Sequence, residues 1–146
     1  MLNVRRMLVS DGDVIAHLEE QTFSDAWSKN SILETLGNAQ AFILVAERED
    51  KIVGYCIVYY VLDEAEIARI AVDSSLRRQG VGREILLETC RVCKELGMER
   101  LLLDVRESNE TARGFYENFG FAVDGIRKNF YENPKEHAVL MSMMLE

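Results

Sequence analysis

At 146 residues the chain has room for one core of ordinary size and is cramped for two, so residues 1–146 are expected to form a single domain. Hydrophobic residues make up 48% and charged residues 29%, and no run approaches the ~20 apolar residues that a membrane helix needs, which argues against a membrane protein. The net charge of −8 repels phosphate backbones and disfavours nucleic acid, while suiting cationic partners such as amines or basic peptides.

Residues 1–10 read neither as a charged segment with an apolar run nor as an Arg/Ser-rich transit peptide, so a cytoplasmic location is expected. Val4 to Met7 reads as a first strand. Asp11 to Phe23 carries Val14, Ile15, Leu18 and Phe23 at helical spacing, with Asp11 or Asp13 as caps. Ser28 can cap a second helix through Ile32, Leu33 and Leu36, closed by Gly37 and Asn38. Ala41–Glu47 and Ile52–Leu62 are strand-like runs around the polar turn Glu49-Asp50-Lys51, and Ile67–Val72 is a further apolar strand. The loop Asp73–Gly80 leads into a long helix, Val81–Leu96, stopped at Gly97. Arg100–Val105 reads as a strand and Asn109–Phe119 as a helix closed by Gly120. Phe121–Ile126 and Ala138–Leu145 suggest a hairpin around Glu132-Asn133-Pro134. Strands and helices mix without strict alternation, which predicts an α/β fold of mixed sheet with helices on both faces.

The segment richest in chemistry is Arg77-Arg78-Gln79-Gly80-Val81-Gly82-Arg83, between a strand and the long helix. Glycines permit a tight backbone path, and a helix start offers unpaired N–H groups with a positive dipole end. With three arginines this makes an anion cradle suited to phosphates; the alternative is an ordinary glycine loop with exposed arginines. It has no Gly-Lys-Ser/Thr, so it is no P-loop, and the third glycine of a dinucleotide fingerprint is missing.

Arg-x-x-Gly-x-Gly after Ile70-Ala71-Val72-Asp73 resembles the acetyl-coenzyme A signature of the GNAT N-acetyltransferases. Asp104-Val105-Arg106-Glu107-Ser108-Asn109 and Phe115-Tyr116-Glu117-Asn118-Phe119-Gly120-Phe121 resemble the second half of that family's cofactor site. Phe23 to Ser28 and Arg127 to Tyr131 are similar, more narrowly, to the branch that acetylates the amino-terminal alanine of a bacterial ribosomal protein. The resemblance implies about seven mostly antiparallel strands, splayed between the fourth and fifth, and about four helices. It implies acetyl-CoA as co-substrate and no metal. Backbone groups of Ile70, Ala71 and Val72 are then expected at the pantetheine amides, and N–H groups from Arg78 through Arg83 at the pyrophosphate. Asn109 is expected near the thioester.

Acetyl transfer to an amine needs a neutral nucleophile, a stabilised oxyanion and a protonated thiolate. An α-amine, pKa ~8, is partly neutral near pH 7, whereas a lysine at ~10.4 needs more help from a base. Val72 N–H is the candidate oxyanion donor. On the residues alone Tyr116 reads as a helical core aromatic with its hydroxyl satisfied; the resemblance instead puts it at the family's proton-donor position. The branch commonly has glutamate twelve residues before that tyrosine, where this chain has Asp104, shorter by roughly 1.5 Å. Asp104 either pairs structurally, with Arg106 or Arg69, or acts as a base through a water, with Glu66 or solvent as the alternatives. Arg69 is a second departure, where asparagine is common.

Three features are set aside. Cys90-x-x-Cys93 lies mid-helix on an apolar face, which predicts core packing rather than zinc or redox chemistry, and with Cys56 it makes an odd set that predicts no disulfide. His17 reads as a surface residue and His137 as the start of the last strand. Asp63, Glu64 and Glu66 read as a solvated turn or as a site for a basic residue of the acceptor. The function expected is transfer of acetyl to a protein amino-terminus. The alternatives are a lysine or small-amine acetyltransferase of the same fold and a silent coenzyme A-binding module.

Overall fold

Period-two runs of β-branched residues and helices with one apolar stripe assemble into a three-layer arrangement in the computed structural model, which describes residues 1–146. In chain order the elements are β1 (Leu2–Arg6), α1 (Gly12–Thr22), α2 (Lys29–Leu36), β2 (Ala41–Arg48), β3 (Lys51–Val61), β4 (Glu64–Val72), α3 (Val81–Glu95), β5 (Arg100–Arg106), α4 (Glu110–Phe119), β6 (Ala122–Tyr131) and β7 (Glu136–Met144). The strands form one sheet in the order β1-β2-β3-β4-β5-β7-β6. Only β4 and β5 run parallel.

The caps follow the local sequence. The Ser28 hydroxyl accepts Ser31 N–H at 3.1 Å to start α2, and Asn109 Oδ1 accepts Ala112 N–H at 3.1 Å to start α4. The Asp11 side chain caps nothing on α1; it accepts Leu8 N–H at 2.7 Å and pairs with Arg5 at 2.9 Å, tying β1 to the turn that follows it. β6 reaches Tyr131, five residues past the expected end at Ile126, because the exposed polar run Arg127-Lys128-Asn129 interrupts the apolar pattern there.

Two cores lie on opposite faces of the sheet. Ile15, Leu18 and Ile32 of α1 and α2 pack on Ile43, Val45, Tyr55, Ile57 and Ala71. Ile85, Leu86 and Cys93 of α3, with Tyr116 of α4, pack on Leu44, Cys56, Val58, Ile67, Leu101 and Val105. Central strands covered on both faces read as continuous apolar runs, which accounts for β2 and β3. The first core draws nothing from β5, β6 or β7, so that face of the β5–β7–β6 half carries no helix.

β4 and β5 pair only at Glu64–Arg100, Ala65–Leu101, Glu66–Leu102 and Ile67–Leu103. There β4 also bulges. Ile57 of β3 pairs with Arg69 and Val58 with Ile67, leaving Ala68 without a partner. A bulge bends its strand and sharpens the local twist. Beyond it β4 stays with β3 while β5 stays with β7, and the sheet parts.

Gly54 on β3 keeps α3 close to the parted strand. A Cβ there would lie 2.9 Å from the Ala71 carbonyl oxygen and 3.0 Å from Ile85 Cδ1. Backbone oxygen cannot step aside, so Gly54→Ala is expected to cost about 2 kcal/mol, checked by urea denaturation with an unchanged m-value.

Candidate active site

The mouth of the gap is the start of α3. Arg78 and Gly80 hold φ of 66° and 83°, which turns the loop so that α3 begins at Val81, a residue sunk into the core at 1% exposure. The first loop-to-helix bond is Glu84 N–H to the Gly80 carbonyl at 3.1 Å, so the N–H groups of Val81, Gly82 and Arg83 have no partner within the helix. A Cβ on Gly80 would meet nothing within 4 Å, so the surface in front of it is open. Gly82 meets α4 instead: its Cβ would lie 3.1 Å from Phe115 Cζ. Arg77, Arg78 and Arg83 are exposed around this end, and Gln79 is held by Arg48 at 3.0 Å. The segment has what a diphosphate requires: open backbone N–H groups, a positive dipole end and cations.

Deeper in, hydrogen-bond alternation decides which groups of β4 face the gap. Asp73 N–H donates to the Val53 carbonyl at 2.8 Å, so Asp73–Val53 is a bonded pair of the antiparallel ladder. Bonded and non-bonded pairs alternate, so Ala71 is bonded to β3 while Ile70 and Val72 turn their N–H and C=O groups away from it. On that side β5 has already left. Ile70 and Val72 therefore present free peptide groups to the gap. Ala71 does not; its carbonyl points at Gly54 and its side chain is buried in the α1–α2 core. The expectation that Ala71 lends backbone groups to a ligand is corrected on this ground. Asn109 keeps its amide NH₂ for a ligand, its oxygen being spent on the cap of α4.

Asp104 and Tyr116 stand on opposite faces of the sheet. Leu101, Leu103 and Val105 of β5 point into the α3–α4 core, so Leu102, Asp104 and Arg106 point to the other side, where no helix covers them. Glu66 is in register with Leu102, which puts it one pleat from Asp104 on that face. Partial burial raises Asp104, against the pull of Arg127. Burial, then the like charge of Asp104, raise Glu66, again opposed by Arg127. Tyr116 is 8% exposed, its ring wedged 5.4 Å from Phe115 and 5.7 Å from Phe121. Burial pushes its hydroxyl well up and keeps it protonated. Tyr131 lies near both groups; burial and Asp104 push it up to about 12.

Neither arginine considered as a partner for Asp104 is free. Arg106 donates to the carbonyls of Pro134 and Glu132 at 2.9 Å each, pairs with Glu136 at 3.3 Å and stacks 4.5 Å from the Tyr131 ring. It anchors the β6–β7 turn. Arg69 reaches the loop between α1 and α2. Its Nη2 donates to the Asp25 carbonyl at 2.7 Å and to Asp25 Oδ1 at 3.1 Å, and its guanidinium lies 4.3 Å from the Phe23 ring and 5.5 Å from that of Trp27. Its Nε stands 3.4 Å from Glu19 Oε1, close enough for an ion pair though not aligned for a hydrogen bond. Glu19 is fully buried and also accepts the Tyr55 hydroxyl and, at 2.8 Å, the Trp27 N–H.

Glu19 is the residue that reading the sequence missed. The available signal was an acid beside Ile15 and Leu18 on the buried stripe of α1, where a carboxylate has to be paired. Of the features set aside, Cys56, Cys90 and Cys93 are buried free thiols, and burial pushes Cys56 and Cys93 up to about 12. His17 is exposed. His137 accepts Asn129 N–H through Nδ1 at 2.9 Å. The acidic cluster divides: the Asp63 carbonyl accepts Glu99 N–H at 2.7 Å, Glu64 pairs with Arg100 at 3.1 Å, and Glu66 alone turns toward Asp104.

A sheet parted between two parallel strands, with a helix amino-terminus at one end of the gap and Asp104 and Tyr116 on its two faces, is the arrangement of an acyl-group transferase. The sequence model of the acetyltransferase (GNAT) family matches residues 12–121, and the chain belongs to that family. A Bacillus subtilis protein, provisionally named [ribosomal protein bS18]-alanine N-acetyltransferase, is 38% identical over 94% of this chain and 92% of its own length. The Escherichia coli K12 [ribosomal protein bS18]-alanine N-acetyltransferase is 30% identical over 98% of the chain and 97% of its own. The crystal structure of the Escherichia coli ribosomal-protein-S18-alanine N-acetyltransferase superposes with a TM-score of 0.91 at 28% identity, covering 100% of this chain and 95% of that one.

Arg69→Ala leaves the Glu19 carboxylate buried without its cation. The expected loss is about 3 kcal/mol in chemical denaturation, and adding Glu19→Gln is expected to restore part of it.

Proposed function

We propose that the chain transfers the acetyl group of acetyl-CoA to the α-amine of a protein amino-terminus, that of the alanine beginning ribosomal protein bS18. The observation that carries the reading is the pairing of the parted strands with an uncovered acidic face. The gap offers the free peptide groups of Ile70 and Val72 and the α3 amino-terminus, while the face beside it is open to a chain end. Relatives at 30–38% identity over nearly the full length bear that enzyme's name.

The residues fit acetyl-CoA. Ile70 and Val72 would hold the pantetheine amides, and the N–H groups of Val81, Gly82 and Arg83, with Arg77, Arg78 and Gln79 around them, would hold the pyrophosphate. Arg78 and Gly80 shape that cradle through their positive φ. Acetyl-CoA supplies the activated thioester. Val72 N–H is placed to stabilise negative charge on the thioester oxygen.

Asp104 is the base, taking the proton of the α-amine, directly or through a water that makes up its shorter reach. Desolvation raises its affinity for that proton, and Glu66 beside it adds negative charge that favours an ammonium in the site. Tyr116 approaches from the opposite face and gives its proton to the departing sulfur. A phenol pushed above its usual range stays protonated until the sulfur needs the proton. A lysine acceptor would ask more of this base, since its ammonium holds the proton about 2.4 units more tightly than an α-amine. The chain is read as one acetyltransferase domain over 1–146, without metal, acting in the cytoplasm.

The test is incubation with acetyl-CoA and two peptides, one with a free amino-terminal alanine and one blocked at its terminus but containing lysine, with the modified site read by mass spectrometry. Acetylation of the α-amine alone is expected; acetylation of lysine alone would overturn the reading. Tyr116→Phe is expected to lower kcat by about 10²-fold with KM for acetyl-CoA retained.

The pH profile of kcat/KM should rise on two limbs, one near ~8 from the α-amine and one above the ordinary carboxylate range from Asp104. Activity is lost as pH falls through the raised pKa of Asp104, because the protonated form accepts no proton. Asp104→Asn should remove that lower limb along with most of kcat; a variant retaining both would assign the base elsewhere.

A further inference from the structure

A cavity of about 480 Å³ lies between α2 and β3, outside the gap and away from Asp104 and Tyr116. Its walls include Trp27, Ser28, Ser31, Glu34, Thr35 and Tyr59, and no cationic residue lines it. Trp27 and Tyr59 form an open wedge, centroids 6.4 Å apart and planes inclined at 52°.

Most polar groups of the wall present acceptors, the Ser31 hydroxyl proton being the exception. Thr35 donates its only proton to the Ser31 carbonyl at 3.0 Å, so in its 2.8 Å contact with Tyr59 the tyrosine is the donor. The Tyr59 oxygen keeps its lone pairs free. Ser28 donates to the Ser31 hydroxyl at 3.1 Å, and Glu34 brings an exposed carboxylate. Arg69 lies 5.5 Å from the Trp27 ring, but its charge is matched by Glu19 at 3.4 Å and Asp25 at 3.1 Å. Two aromatic rings, a carboxylate and spare oxygen lone pairs suit a cation with several N–H donors.

We infer that this cavity is a specificity subsite of the acceptor cleft that takes a basic side chain, arginine or lysine, from the second or third residue of the protein whose amino-terminus is acetylated. The inference rests on the proposed acetylation of an amino-terminus. Its placement follows from the sheet. Tyr59 is in register with Glu66 of β4, and Glu66 with Leu102 of β5, one pleat from Asp104. Two strand spacings separate Tyr59 from β5, roughly 10 Å, which an extended peptide covers in about three residues. A peptide with its amine at Asp104 and its chain crossing β4 past Glu66 therefore brings an early side chain to the wedge. The same path runs beside Trp27, whose backbone is fixed by Glu19.

The test compares amino-terminal alanine peptides bearing either arginine or citrulline at positions two and three, which differ in charge at nearly equal shape. The arginine peptide is expected to have about tenfold higher kcat/KM, from a cation over aromatic rings beside a carboxylate. Glu34→Gln should shrink that ratio to about twofold, and Glu34→Lys should invert it. Equal kcat/KM for the two peptides in the unaltered enzyme, with both acetylated at the α-amine, would overturn the subsite and leave the proposed function standing. A ratio unchanged in both Glu34 variants would also overturn it. Absence of α-amine acetylation on either peptide, with lysine modified in the blocked one, would overturn the function and the subsite together.

Discussion

The parting of β4 from β5 is the constraint on which the site depends. A sheet interior normally satisfies every peptide group through its neighbours, and leaving a strand edge unpaired is costly unless water or a ligand takes those groups. Here pairing stops at Ile67–Leu103, where Ala68 bulges out of the ladder with β3. Ile70 and Val72 are left with peptide groups directed at no strand. Beside that gap the two faces of the sheet carry the two groups proposed for catalysis. Tyr116 belongs to the α3–α4 core and Asp104 to the uncovered face. In a closed sheet they would be separated by backbone.

The second organising element is the buried carboxylate of Glu19. It joins α1, β3, β4 and the α1–α2 loop through Tyr55, Arg69 and the Trp27 N–H. A carboxylate at zero exposure persists only with such partners. Its effect is to hold Trp27 against the sheet, directly and by way of Arg69, the residue next to the bulge. The α1–α2 loop and β4 are thereby fixed to one another. Arg69 is thus a brace between β4 and the α1–α2 loop.

Asp104 illustrates how its surroundings set a carboxylate's affinity for protons. Its neighbours leave it unpaired, Arg106 being spent on the β6–β7 turn and Arg69 on the α1–α2 loop. Unpaired and half-buried, it holds protons more tightly than an ordinary aspartate. Glu66 contributes a second carboxylate on the same face, and Arg127 limits how far both rise.

Sequence by itself determined most of the element order. The apolar runs of β2 and β3, the serine cap of α2, the asparagine cap of α4 and the glycines closing α3 and α4 are local features whose physics needs no distant partner. The α3 cradle was legible for the same reason, since glycines and arginines at a helix start are contiguous in the chain. The tail of β6 was not, because its exposed residues carry no alternation. Only the tertiary structure decided that Ala71 turns its peptide groups to β3, since ladder parity is set by the partner strand. It alone showed Arg69 reaching 44 positions back to Asp25, and Tyr59, Thr35 and Trp27 meeting around one cavity. Those groups are far apart along the chain, and no local pattern records a meeting that the two cores and the bulge impose.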